Sequence, residues 1–334
     1  MIFGLSSSHA AATLAVILVG YKSGIIDDNI LNGTILLILV SCLTASIITE
    51  RAAKNILANS DSERTALSFQ QHITEYILVP VVNILNLEKL LEFAILIRAK
   101  KSTNPITMLS VVPNDKEAEA NIFESNKRLE KFVHQAAATE VTINVIAAID
   151  HNPASGISRT SRELLMNIII LGWPRKTGII EKIIGDKVDS IVNLVDKNLF
   201  ICRIDKPLVS HKRICVFVPP LAEKEVGFLI WVEKLGTLSL ELHTPLNVYI
   251  SKSTEEILRN HIKGQKPHMI NYHEFIDWDK LDPFQNIVKK DDLVVIVSSR
   301  KGSVSYMSIM EKITNKLETR FENNIIVIYP QRGY

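Results

Sequence analysis

The 334-residue sequence predicts two transmembrane α-helices followed by α/β. The α/β part reads as two tandem units, each a mostly parallel five-stranded sheet with helices on both faces. Three observations predict it. Two uncharged stretches, Met1–Tyr21 and Ile30–Thr49, stand back to back at the start, each near the roughly 20 apolar residues that cross a bilayer as a helix. From Glu75 onward, short β-rich runs alternate with amphipathic stretches, the signature of a parallel sheet covered on both faces. Near Arg213 the pattern starts again, which reads as an internal repeat.

The elements follow in order. The first apolar stretch opens on Gly4-Leu5-Ser6-Ser7-Ser8-His9 and becomes a smooth helix from Ala10 to Gly20. Ser8 suits the N-cap position, and the small residues let a neighbouring helix approach closely. This is not a secretory signal: no basic residue precedes the apolar core, the Gly/Ser/His patch interrupts it, and a second apolar run follows at once. The second stretch is rich in Leu and Ile, and Glu50–Asn59 extends it. Arg51, Lys54 and Arg64 follow this span, while the connection Lys22–Asn29 sets one Lys against Asp27 and Asp28. The positive-inside rule then puts the tail in the cytoplasm. The organisation is two membrane helices over 1–58, a polar linker over 59–72, a first α/β domain over 73–206 and a second over 210–331, with Asp205–His211 as the joint.

Strands are expected at Tyr76–Val81, Pro105–Val112, Val141–Ile149, Asn167–Gly172 and Asn198–Ile204, with a helix over Leu87–Lys100 from its apolar spacing. The second set is Arg213–Val218, Leu246–Ile250, His268–Tyr272, Leu293–Ser298 and Asn324–Tyr329. YILVPV pairs with RICVFVP, NPITMLSVV with TPLNVYISK, and NIIILGW with LVVIVSS.

Composition narrows the function. A net charge of +2 with Lys and Arg matched by Asp and Glu gives no support for a nucleic-acid partner. Cys42, Cys202 and Cys215 are far apart and fit no metal spacing, so buried thiols in a reducing compartment are expected. The sequence has no nucleophile-elbow triad, no paired-His metal motif and no Gly-rich loop ending in Lys-Ser or Lys-Thr. These absences argue against an enzyme.

The first α/β unit resembles the universal stress protein fold. That family ends a central strand in Gly and continues with glycines at the third, sixth and thirteenth following positions, then Ser or Thr. Here the strand ends at Gly172; Gly178 and Gly185 fall at the sixth and thirteenth positions, Arg175 occupies the third and Asp186 replaces the hydroxyl. The resemblance implies a degenerate nucleotide loop of Gly172, Arg175, Gly178 and Gly185 for ATP or another adenine nucleotide. The plainer reading is a strand–helix loop. The second unit reads Ser298-Ser299-Arg300-Lys301-Gly302-Ser303 at the matching place, either an anion-holding helix start or a solvated one.

The N-terminal string FGLSSSHAAATLAVILVGYKSGIIDDNILNGTILLILVSCLTASIITERAAKNI resembles the last two transmembrane helices of bacterial cation/proton antiporters. Such antiporters often carry cytoplasmic regulatory domains, including universal-stress-like pairs. The resemblance implies a broken penultimate helix at Gly4–His9, with Ser6, Ser7, Ser8 and His9 beside the ion path. It further implies sodium or potassium and protons as the transported ions, membrane lipid as surroundings, a homodimer, and partner helices that this chain lacks. Neither span contains Asp or Glu, and intramembrane carboxylates are what couple proton to cation. The chain is therefore expected to be the C-terminal portion of an antiporter of the inner (cytoplasmic) membrane, with Met1 an internal methionine. The second reading is a membrane-anchored universal-stress-like protein that binds a nucleotide or partner without transport.

Overall fold

The computed structural model describes residues 10–60, 75–82, 84–137, 141–173, 181–262, 269–275, 278, 282–310 and 322–333. The chain divides into two compact units, Met1–Gln71 and His72–Tyr334.

The first unit is a helical hairpin. Helix α1, Ala10–Lys22, and helix α2, Asp28–Ser60, flank a turn in which Gly24 takes φ 68°. Asp27 starts α2, its Oδ1 accepting from the Ile30 amide at 2.9 Å, and the Tyr21 hydroxyl donates to Asp28 Oδ1 at 2.7 Å. Later hydroxyls turn back on their own helix: Thr34 donates to Ile30 O at 2.7 Å, Ser41 to Ile38 O at 2.9 Å and Thr44 to Val40 O at 2.9 Å. Satisfied internally, they cost little in an apolar medium.

Helix α2 runs 33 residues, unbroken beyond the expected span end at Thr49. Its Asp28–Ala45 part is long and apolar enough to cross a membrane, alone among the described residues. The described first helix has thirteen residues, about 20 Å at 1.5 Å per residue against a hydrocarbon core of about 30 Å. Residues 1–9, where the remainder of the expected first span lies, fall outside the described residues.

The second unit is built on one ten-stranded sheet: β1 Ile77–Pro80, β2 Ile106–Val112, β3 Ile143–Ile149, β4 Ile168–Gly172, β5 Asn198–Arg203, β6 Arg213–Phe217, β7 Leu246–Ile250, β8 Ile270–Glu274, β9 Asp292–Val297 and β10 Ile325–Tyr329. Its order is β3-β2-β1-β4-β5-β10-β9-β6-β7-β8. Each half thus repeats the order 3-2-1-4-5 with parallel neighbours. The sequence pairs fall at equivalent places: β1 with β6, β2 with β7, β4 with β9. The halves do not stand as separate sheets. They join through antiparallel β5 and β10, from Ile325 opposite Arg203 to Tyr329 opposite Leu199.

Buried on both faces, the central strands read as apolar runs without alternation; β9 and β1 are buried throughout. One core lies under α3 (Leu87–Ile97), α4 (Ala118–Ala137) and α7 (Phe228–Leu242). The other lies under α5 (Pro153–Glu163) and α6 (Glu181–Leu194), with Phe217, Tyr249, Phe275, Trp278 and Phe284 as its aromatic end. Helices α8, Lys252–Ile262, and α9, Asp282–Ile287, complete the second half. Strand β8 lies two residues later than expected, and His273 stacks on Tyr249 with ring centroids 4.8 Å apart.

Candidate functional site

In an open parallel sheet, ligands settle outside the carboxyl ends of the strands where the strand order reverses. Each half has such a point, between β1 and β4 in the first and between β6 and β9 in the second. The two differ in chemistry.

In the first half the chain leaves β1 through an apolar lip, with Val82 61% and Leu85 80% exposed. Across from it, β4 ends at Gly172. A Cβ at Gly172 would stand 3.1 Å from Leu90 Cδ1, so this glycine lets α3 pack close to the strand end. Arg175 and Gly178 lie outside the described residues. Gly185 lies on the second turn of α6, which starts at Glu181; its backbone belongs to the helix and not to a loop. Of the four positions, Gly172 at a strand end and Gly185 within a helix are the described ones. Ser6, Ser7, Ser8 and His9 also lie outside the described residues.

The second half is latched. After β6 the chain passes Leu221, held at φ 64°, into a single 3-10 turn, Ala222–Lys224. Glu223 on this turn and Glu225 just after it are both buried. Glu225 Oε1 accepts from the Ser305 amide at 2.9 Å and from its hydroxyl at 2.7 Å, tying the loop after β6 to the loop after β9. Glu223 Oε2 accepts from Thr254 Oγ1 at 2.7 Å, tying the same loop to α8. Two buried carboxylates at this point disfavour a polyphosphate beside them.

Arg300 does not turn toward an anion either. It is fully buried, with Nε donating to Val192 O at 2.9 Å, Nη2 to Lys197 O at 2.8 Å, and Nη1 to Pro330 O. Burial lowers its pKa to about 10, despite nearby carboxylates. Val192 belongs to the last turn of α6, so the cation meets the negative end of that helix. A residue of the second half thereby caps a helix of the first. The expectation of a solvated or anion-holding helix start at 298–303 gives way to this contact, because a guanidinium meets several carbonyls at once.

A second cross-half contact was not visible in the sequence. Lys234 Nζ on α7 pairs with Glu75 Oε2, both side chains buried. Glu75 also accepts from the Ala99 amide. At the joint, Asn324 Oδ1 accepts from the Asp205 and Lys206 amides at 2.8 and 3.0 Å, and its Nδ2 donates to Lys206 O at 2.7 Å and to His211 Nε2 at 2.8 Å. Arg213 grips Asp292, Nε to Oδ1 at 2.8 Å. Burial is the largest influence and would raise the Asp292 pKa, but the Arg213 hydrogen bonds, the Lys289 amide and the Arg213 charge together outweigh it and hold the carboxyl below its ordinary range. Cys202 and Cys215 are buried free thiols; burial, reinforced by Asp292, pushes Cys215 up to about 12, so both are inert at neutral pH. Among the described residues no His, Cys, Asp and Glu side chains gather to hold a metal ion.

No family model matches the chain. Over 97% of its length it is similar, at 23% identity across 360 residues, to the Na(+)/H(+) antiporter NhaS5 of Synechocystis sp. PCC 6803. The chain spans about half, 51%, of that protein's length. Among solved structures, a universal stress protein from Archaeoglobus fulgidus DSM 4304 matches with TM-score 0.54 and 17% identity, covering 77% of this chain and 97% of that one. A putative universal stress protein from Pseudomonas aeruginosa UCBPP-PA14 matches with TM-score 0.50 and 13% identity, covering 77% and 94%. The α/β unit thus has the fold of the universal stress proteins, and the chain as a whole is similar in sequence to a sodium/proton antiporter.

Proposed function

We propose that this chain is the C-terminal portion of a monovalent cation/proton antiporter, contributing its last two membrane helices and a cytoplasmic regulatory module. The observation that carries the reading is the similarity to an antiporter along 97% of the chain, which takes in both the hairpin and the α/β unit of this chain. The hairpin's chemistry agrees with it. Val16, Leu36 and Leu37 are each about two-thirds exposed or more, a surface for lipid or for further transporter helices. The Thr34, Ser41 and Thr44 hydroxyls of α2 are spent within the helix, and ion coupling belongs to carboxylates on other helices. In this arrangement the protein sits in the inner membrane as a multi-pass protein, with residues 72–334 in the cytoplasm.

The module's role is regulation, exerted through the continuous α2, which carries its helix 11 residues beyond Thr49 to Ser60. Its ligand-responsive half is the first, because the Glu223 and Glu225 latches close the second. An adenine nucleotide is the ligand that the fold favours there.

Sodium- and potassium-driven proton movement in everted vesicles, with the whole reading frame and with the same frame ended after Gln71, tests the proposal. Exchange that persists in the truncated form with an altered response to pH or nucleotide is the expected result. Equal activity and equal response in both forms would overturn the regulatory role. Exchange absent from the intact protein would leave the membrane-anchored binding protein as the better reading.

A further inference from the structure

The two ends of the ten-stranded sheet are guarded very differently. Strand β8, at one end, has five residues and carries His273 and Glu274, the latter paired with Lys252 at 3.2 Å. Such charges keep an edge from pairing with another chain. Strand β3, at the other end, has seven residues, INVIAAI, with no charge and no proline. Among the described residues only one of its flanks pairs with a strand, β2, while Arg159 Nη2 donates to Ile149 O at 2.7 Å at the strand's end. Ile149 is 38% exposed, and Phe123 on the neighbouring α4 is 73% exposed. Beside the strand, β3 and α5 enclose a groove of about 420 Å³ lined by Ile146, Ala147, Ala148, Arg159, Thr160 and Glu163, among others.

We propose that β3 is an interface on which a second copy of this chain docks, antiparallel and two-fold, so that Ile146 lies opposite its own counterpart. This inference is independent of the transport reading.

Three observations choose a second copy over another occupant. In this register Ile143 meets Ile149, Asn144 meets Ala148 and Val145 meets Ala147, so no charge faces a like charge. The charges beside the strand are self-complementary. Arg159 and Glu163 lie one helical turn apart on α5, 48% and 62% exposed at their side chains. Within one chain Arg159 pairs loosely with Glu163 at 3.7 Å and with Asp150 at 3.3 Å, contacts that exposed side chains exchange readily. An antiparallel copy of α5 sets the Arg159 of each chain beside the Glu163 of the other, the reciprocity that a two-fold interface requires. Finally, the same molecule already joins two such five-stranded units edge to edge in this way, through β5 and β10.

Disulfide trapping in the full chain, held in detergent or nanodiscs, tests the interface. Cys42 is first replaced by Ser; Cys202 and Cys215 are buried. Directly opposed residues of an antiparallel pair lie within disulfide reach. Ile146→Cys is expected to form a covalent dimer on mild oxidation roughly tenfold faster than Asn271→Cys on β8, because docking raises the local thiol concentration. Glu163→Arg, at an exposed site, is expected to slow that cross-link several-fold, and R159E/E163R together to restore it. Equal rates for I146C and N271C, as when another segment of the same chain covers β3, would overturn the interface. A cross-link unaffected by E163R would overturn its antiparallel arrangement.

Discussion

At the scale of single residues, the chain invests buried charge where its halves meet. The Glu75–Lys234 pair is shielded on both sides, and removing one partner of such a pair leaves a charge in low dielectric, at a cost of about 3–5 kcal/mol. Lys234→Met should therefore lower the urea-unfolding free energy of residues 72–334 by about that amount. The double variant K234M/E75Q should recover most of it; a double variant as unstable as the single one would contradict the account. Gly172 gives a second prediction. A methyl group there must displace Leu90 from 3.1 Å, so Gly172→Ala should cost about 1–2 kcal/mol through overpacking. If the glycine served only a phosphate, the substitution would leave the thermal midpoint unchanged and abolish its rise on adding nucleotide. The sequence spacing marked Gly172 as special, but could not tell close approach to a ligand from close approach to a leucine. Glu223 and Glu225 escaped notice because carboxylates on a turn after a strand look like solvated surface. Only the approach of Thr254 and Ser305 turns them into latches.

At the scale of elements, the joint between β5 and β6 buries a histidine and favours its neutral form. His211 is 5% exposed, and burial lowers its pKa, with Lys206 adding to the effect and Asp291 and Asp292 opposing it. The unfolded chain binds its proton at the ordinary value near 6.5, the folded chain only lower. Stability is thus complete above that value and is lost as pH falls through it toward the folded pKa. Unfolding of residues 72–334 between about pH 7 and pH 5 should show this loss, and His211→Gln should flatten the profile. His261, also lowered by burial, leaves a residual slope; a slope unchanged by H211Q would remove His211 from the account. Elements were legible in proportion to their burial. Strands β1, β4, β6 and β9 announce themselves as apolar runs because helices cover both their faces. Strand β8, INYHE, is a polar edge, and its expected position is off by two residues. Helix α2 passes Thr49 because Glu50–Ser60 continues in good helix formers, whereas the drop in hydropathy marks only where an apolar span would end.

At the scale of the whole α/β unit, the repeat in the sequence foretold two similar halves but not their fusion. An antiparallel ladder between the last strands of each half depends on contacts far apart in the chain, which no local pattern encodes. Once formed, that ladder is reinforced from both sides. Arg300 crosses to the carbonyls of Val192 and Lys197. Arg203 reaches Asn323 O at 2.8 Å. Gly227 lies so close to Asn198 and Gln331 that a Cβ would stand 2.1 and 2.4 Å from them. Halves tied by a ladder, a buried ion pair and a buried cation should lose structure together, since neither keeps its core sealed when the other opens. Calorimetry of residues 72–334 should accordingly show one transition whose van't Hoff and calorimetric enthalpies agree. Arg300→Met, which orphans carbonyls at about 1–3 kcal/mol each, should move that single transition down as a unit, with slowly exchanging amides of β1, β4, β6 and β9 losing protection in parallel. Two transitions, of which R300M shifts only one, would show instead that the repeats are independent domains lying edge to edge. A ligand bound in the first half would then have no route through Arg300 to the second.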